Sequence, residues 1–106
     1  MREPRIIFLP ILITVFVTAC AGSNNGEQLF TGEGCINCHT FKGRGGSIGP
    51  DLTAVSSRRD KKWMLNYIKD PSRTNPAARM PSFPQLSETK RRAIVSYLRQ
   101  ELGEKP

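Results

Sequence analysis

Cys35, Cys38 and His39 are the side chains of this sequence best suited to do chemistry. Their spacing, in the run Cys35-Ile36-Asn37-Cys38-His39, says which chemistry. Two thiols three residues apart on a helical turn point to one side, as i and i+3 neighbours do. Each can add to one vinyl group of a haem to make a thioether, while the adjoining imidazole offers a ring nitrogen to the iron. The redox chemistry would then belong to the haem and not to the polypeptide. Other uses of the pentad fit less well. A structural zinc site takes four Cys or His ligands, and outside the pentad the chain has only Cys20 and no further histidine. A thioredoxin-type Cys-x-x-Cys follows a strand in a βαβ setting, and no β-alternating run precedes residue 35. A Cys35–Cys38 disulfide would leave His39 without a role.

Three cysteines are an odd number, so one remains once two are attached to haem. Cys20 closes a different kind of segment. Arg2 and Arg5 precede a run from Ile6 to Val17 that is apolar apart from Pro10 and Thr14. This is the basic start and apolar middle of a secretory signal. Val17-Thr18-Ala19-Cys20 resembles a bacterial lipobox, where a lipid is added to the cysteine and cleavage makes it the new N-terminus. The expected organisation is a lipoprotein signal peptide over 1–19, a lipidated Cys20 with a short polar tether over 20–26, and a haem domain over 27–106. Two alternatives stay open. The uncharged stretch Ile6 to Gly26 approaches the length of a transmembrane anchor of about 20 residues, although Gly22-Ser23-Asn24-Asn25-Gly26 is polar. Simple secretion without lipid is the other. Each places the haem outside the cytoplasm, on the periplasmic or extracellular side of a bacterial cell.

Size and charge narrow the class. If Cys20 is the mature N-terminus, 87 of the 106 residues remain, enough for one small domain. A chain this short buries a thin core and needs a staple or cofactor, and haem supplies both. The full sequence has 16 Lys and Arg against 9 Asp and Glu. Loss of residues 1–19 removes Arg2, Arg5 and Glu3, leaving 14 against 8, a formal +6. Such a surface steers toward acidic partners or anionic headgroups; nucleic acid is a poor partner for an exported haem protein.

The elements that must position the pentad read as three helices with loops between, an all-α domain. A short first helix is expected from about Glu27 to Gly34, with Leu29 and Phe30 apolar. Gly43-Arg44-Gly45-Gly46 reads as a loop, and no Gly-Lys-Ser/Thr follows to make it a phosphate-binding one. Gly49-Pro50-Asp51 marks a turn. A second helix should run from an Asp60 N-cap to Lys69, with Met64, Tyr67 and Ile68 at helical spacing. Residues 71 to 86 contain Pro71, Pro76, Pro81 and Pro84, which predicts a loop of fixed course and no regular helix. The last helix should start after Ser87, with Glu88 at the positive end of its dipole. Ala93, Ile94, Tyr97 and Leu98 form its apolar stripe, and Gly103 lies just beyond its end.

Taken in order, Cys35-Ile-Asn-Cys-His39, Gly49-Pro50, Asn66-Tyr67-Ile68-Lys69-Asp70-Pro71, Arg79-Met80-Pro81 and a C-terminal helix with Tyr97-Leu98 resemble the class I cytochrome c family, from about Gly26 to Leu102. One position departs: Phe30 lies five residues before Cys35, where mitochondrial-type members place it four before. The resemblance implies a small cytochrome c fold, three main helices and loops wrapped around one covalently bound haem c. It also implies that Met80 is the sixth iron ligand, opposite His39. The composition agrees, because a single histidine excludes a bis-histidine haem within one chain; Met64, on a helical apolar stripe, and an open or lysine-ligated iron are the alternatives. Pro50 matches a proline whose carbonyl accepts a hydrogen bond from the far nitrogen of the haem histidine, with a plain turn as its other reading. Tyr67 matches a tyrosine near the methionine sulfur, with core packing as the alternative. Trp63, Arg58 and Arg59 match residues facing the haem propionates only loosely; Arg58-Arg59 with Lys61-Lys62 also reads as a solvated charge cluster.

The function these features imply is one-electron transfer, with no substrate bound and no enzymatic turnover. Axial methionine raises the potential, which suits the high-potential end of a respiratory chain. The runs Gly49-Pro50-Asp51-Leu52-Thr53 and Asp70-Pro71 through Phe83 look like haem c domains associated with terminal oxidases. The expected partners are an oxidase, reductase or dehydrogenase with an acidic docking surface, and the membrane through a lipid anchor. A haem c subunit of a larger oxidoreductase is the alternative, followed by a gas sensor or peroxidase with an open iron position.

Overall fold

The structure, a computed structural model, describes residues 2–7, 9–15 and 25–99. Residues 2–7 and 9–15 form neither helix nor strand, and Ile6, Ile7, Leu9, Ile11, Leu12, Ile13 and Val15 stand exposed. No helix among the described residues is long and apolar enough to cross a membrane. Cys20, and the Gly103 expected after the last helix, lie outside the described residues.

Helix α1 (Gly26–Gly32) begins where the Asn25 side-chain oxygen accepts from the amides of Glu27 and Gln28, at 3.0 and 3.2 Å. It stops short of the expected Gly34. That glycine sits at φ +83°, a left-handed turn that ends one helix and opens the next. Helix α2 (Cys35–Cys38) is a single turn. It leads into a hairpin, β1 (Thr40–Phe41) against β2 (Arg44–Gly45), antiparallel with Thr40 opposite Gly45 and Phe41 opposite Arg44. Both turn residues, Lys42 (φ +52°) and Gly43 (φ +75°), have positive φ, as a two-residue type I′ hairpin requires. The expected all-α domain is therefore corrected to a mostly helical one with a small two-stranded sheet. Strands of two residues are too short to leave an alternation signal in sequence.

A 3-10 turn (Val55–Ser57) precedes α3 (Lys61–Lys69), which starts at Asp60, whose carboxylate accepts from the Trp63 amide at 2.7 Å. Residues 71 to 86 are not all loop, as the prolines had suggested. Helix α4 (Pro71–Thr74) forms there with Pro71 at its first position, where no amide hydrogen is needed. Helix α5 (Glu88–Arg99) follows, the Lys90 amide donating to Ser87 Oγ at 3.2 Å. The described residues thus hold five helical segments and a 3-10 turn where three helices were expected.

Helix α5 is the centre of the core. It packs against α1, α3 and the 3-10 turn. Its buried face is Ile94, Val95 and Leu98; Ala93 and Tyr97, expected in the same stripe, are half-buried on the flank that meets α1. Val95 was absent from the expected stripe, yet it is fully buried, and burying such a side chain contributes about 1.5–3 kcal/mol. The α1–α5 crossing is tight because residue 26 is glycine: a Cβ there would overlap the Ala93 carbonyl oxygen and Tyr97 Cβ. Around it, the rings of Phe30, Phe41 and Tyr97 meet in pairs with centroids 4.9–6.1 Å apart, so β1 fastens the helix pair through Phe41.

Candidate functional site

Gly34 turns the chain so that Cys35 and Cys38 lie on the one turn of α2. Both are free thiols, half-buried, on neighbouring positions of a helical face. Burial pushes the Cys35 thiol above its ordinary range, which keeps it protonated until a partner engages it. His39 leaves the helix in extended conformation, its amide donating to the Cys35 carbonyl at 2.9 Å, and its side chain is 9% exposed.

The imidazole is held on two sides. His39 Nδ1 lies 2.7 Å from the Pro50 carbonyl oxygen. A carbonyl can only accept, so Nδ1 carries the hydrogen and the neutral ring keeps its lone pair on Nε2. Beneath the ring is Gly49, where a Cβ would come within 2.6 Å of His39 Cε1 and 2.8 Å of Nδ1. The Gly49 amide in turn donates to the Cys38 carbonyl at 2.7 Å. The hairpin closes the other flank. A Cβ at Gly45 would overlap the His39 carbonyl oxygen, one at Gly46 the Asn37 carbonyl oxygen, and the Gly46 amide donates to Ile36 at 2.8 Å. The glycine-rich run expected as a plain loop therefore lies against the backbone of the pentad. Its three glycines were visible in sequence; what they pack against was not.

The other expected site residues come from α3 and the segments after it. Met80 is half-buried against the core. Its loop is tied back to the end of α3 by Asp70, whose carboxylate accepts from Ser72 Oγ at 2.7 Å and Ser82 Oγ at 3.4 Å. These bonds, that from Ser72 foremost, hold the Asp70 carboxyl below the usual carboxylate range. Tyr67 is half-buried and stacks on Trp63 with centroids 4.6 Å apart and planes 14° from parallel. The Arg59 guanidinium covers the other ring of that pair, 4.3 Å from the Trp63 centroid. Arg58 instead donates to the Asp51 carbonyl at 3.3 Å, and Asp51 also anchors the Thr53 amide and hydroxyl. Met64, the alternative ligand, is buried within the core on α3.

Residues 23–101 match the family model of cytochrome c. This chain belongs to the cytochrome c family. Proteins of this family carry covalently attached haem c and transfer electrons through it. Cytochrome c oxidase subunit 2 of Alkalihalophilus pseudofirmus is 32% identical over 85 residues, which cover 73% of this cytochrome and 25% of that protein. The chain thus spans about a quarter of the relative's length. No solved structure matches it.

The residues of this cytochrome fit the cofactor of its family. Two free thiols share one helical turn beside an imidazole whose outward nitrogen keeps its lone pair, and the soft thioether of Met80 suits iron. Ser56 Oγ, by contrast, is buried with no hydrogen-bond partner among the described residues, a polar atom that the sequence did not single out.

Proposed function

We propose that this cytochrome is a membrane-tethered one-electron carrier working between respiratory-chain partners outside the cytoplasm. Cys35 and Cys38 would hold the haem covalently, and His39 and Met80 would ligate its iron. The bound haem supplies reversible one-electron exchange at its iron. The observation that carries the reading is the 2.7 Å bond from His39 Nδ1 to Pro50, which commits the opposite nitrogen to the metal side. Pro50 fixes the ring and raises its basicity. Gly49 lets the loop close on the imidazole face, and Asp70 steadies the Met80 loop through Ser82. Tyr67, stacked on Trp63 along α3, is the tyrosine that this reading assigns to the Met80 thioether. With His39 and Met80 both engaged, the iron would keep no open position for a substrate.

The tether is read from the sequence. Residues 1–19 are a lipoprotein signal, Cys20 carries lipid, 20–26 are the tether and 27–106 the cytochrome domain, facing the periplasm or the cell exterior. The exposed apolar side chains of Ile6, Ile7, Leu9, Ile11, Leu12, Ile13 and Val15 support an anchor where the segment is retained and an export signal where it is cleaved. The formal +6 of residues 20–106 supports acidic docking surfaces on the redox partners, and the oxidase-subunit relative supports respiratory ones.

That same relative favours a second reading, a haem c subunit of a larger oxidoreductase. Purification in mild detergent separates the two, since a carrier elutes alone and a subunit does not. Carbon monoxide titration of the reduced holoprotein at neutral pH tests the ligand set. The carrier reading expects no binding, and tight binding would replace it with a sensor or peroxidase having an open iron position.

A further inference from the structure

Helix α3 presents two opposed faces. At 100° per residue, Trp63 and Tyr67 point in one direction, while Lys61, Lys62, Leu65 and Lys69 occupy an arc about 150° away. That second arc, with Glu88, Arg91 and Arg92 of α5, lines a groove of about 550 Å³. Its charged lining is five cations and one carboxylate. The carboxylate is already satisfied: Arg92 pairs with Glu88 one turn away, and Arg92, Arg91 and Lys69 together hold its acidity high. The groove therefore keeps four positive charges in excess, with half-buried Leu65 as its apolar element.

We propose that this groove seats anionic lipid headgroups and so fixes the orientation of the cytochrome on its membrane. The inference rests on the membrane-tethered reading above. Two observations favour lipid over an acidic redox protein, and the tether permits it. The groove faces away from the Trp63–Tyr67 side of α3, so an electron partner docked there would lengthen its path to the haem pocket. Its charge is strongly positive on balance, as attraction to an anionic bilayer surface requires. In the lipoprotein reading the lipid sits on Cys20, six positions before Gly26. Those six steps span about 20 Å at most, which keeps the domain within reach of the surface.

The test uses the full-length holoprotein reconstituted into phosphatidylcholine vesicles, with and without phosphatidylglycerol. Lysine acylation rates are read by mass spectrometry. Lys61, Lys62 and Lys69 should react about fivefold more slowly on the anionic vesicles, from the attraction of each basic residue to such a surface. Lys42 lies on the hairpin beside Phe41, on the α1 flank of α5, and should react equally on both. High salt, or the double variant Lys61→Glu and Lys62→Glu, should abolish protection at Lys69. Equal rates at the groove lysines on both vesicle types would overturn the proposal. So would protection found only in native membranes, which would assign the groove to an acidic protein. Flotation separates the underlying reading: holoprotein that fails to float with plain phosphatidylcholine vesicles refutes membrane tethering itself.

Discussion

Gly49→Ala tests the geometry of the imidazole without touching any ligand. The added Cβ would sit 2.6 Å from His39 Cε1, 2.8 Å from Nδ1 and 3.1 Å from Nε2, where ordinary contact begins at 3.4 Å. Relief of the shortest contact requires a displacement of about 0.8 Å, the difference between 3.4 and 2.6 Å. The ring has little freedom to give it, since Nδ1 is bonded to Pro50 at 2.7 Å and the side chain is buried. A shift of that size carries the bond toward 3.5 Å, the edge of hydrogen-bond geometry. Overpacking costs about 1–3 kcal/mol and a lost neutral hydrogen bond about 1 kcal/mol. A loss of about 2 kcal/mol lowers Tm by about 8–16 °C in a domain of this size. The assay is thermal unfolding of the holoprotein beside the Gly32→Ala variant. At Gly32, the last residue of α1, an added Cβ meets nothing within 4 Å, so that variant should match the parent or gain slightly. Because the thioethers stay intact, both variants should retain haem through denaturing electrophoresis, so the difference reports the histidine side alone. Equal Tm values for Gly49→Ala and Gly32→Ala would refute the contact between Gly49 and the imidazole.

Three further outcomes are expected. Met80→Ala should remove the weak sulfur-to-iron charge-transfer band of the ferric form, lower the reduction potential and open the iron to carbon monoxide; an unchanged band and potential would mean that Met80 is not the ligand. Hydrogen bonds from Ser72 and Ser82 hold the Asp70 carboxyl below its ordinary value of 3.8. Its stabilisation is therefore complete above that pH and lost as pH falls through the lower folded value. Asp70→Asn should flatten that part of the acid-unfolding curve, and a curve parallel to the parent's would sink the link. Cys20→Ser should release the cytochrome from washed membranes or block its processing, whereas mass spectrometry showing an unmodified Cys20 behind an intact N-terminus would favour a retained anchor.

Where local chemistry carried the signal, sequence reading and structure agree. Asp60 and Ser87 receive amides at the starts of α3 and α5. The His39 bond to Pro50 is also present, but only the family resemblance had implied it. Where the outcome depended on neighbours distant in sequence, the reading went astray. Pro71 excluded helix by rule, yet it sits at a first helical position where the rule does not apply. Thr40-Phe41 carried no strand pattern because two residues cannot alternate, and the hairpin is held by positive-φ turn residues and by the packing of Phe41 on Phe30 and Tyr97. Val95 was passed over because the stripe on α5 was centred one position toward the α1 flank; α3 on the opposite side draws the buried face across to it.

By itself the sequence determined the chemistry: two thiols and an imidazole within five residues specify covalent haem attachment, since reactivity and spacing along one helical turn are local properties. It also determined that the protein is small and basic. Only the tertiary structure decided which nitrogen of His39 is left for the metal, because that depends on a carbonyl eleven residues away. The same holds for what lies under the ring, which flank of α5 meets α1, and the gathering of Lys61, Lys62 and Lys69 with Arg91 and Arg92 into one groove. Each of these is a contact between segments that loops bring together, and packing, not spacing, sets it.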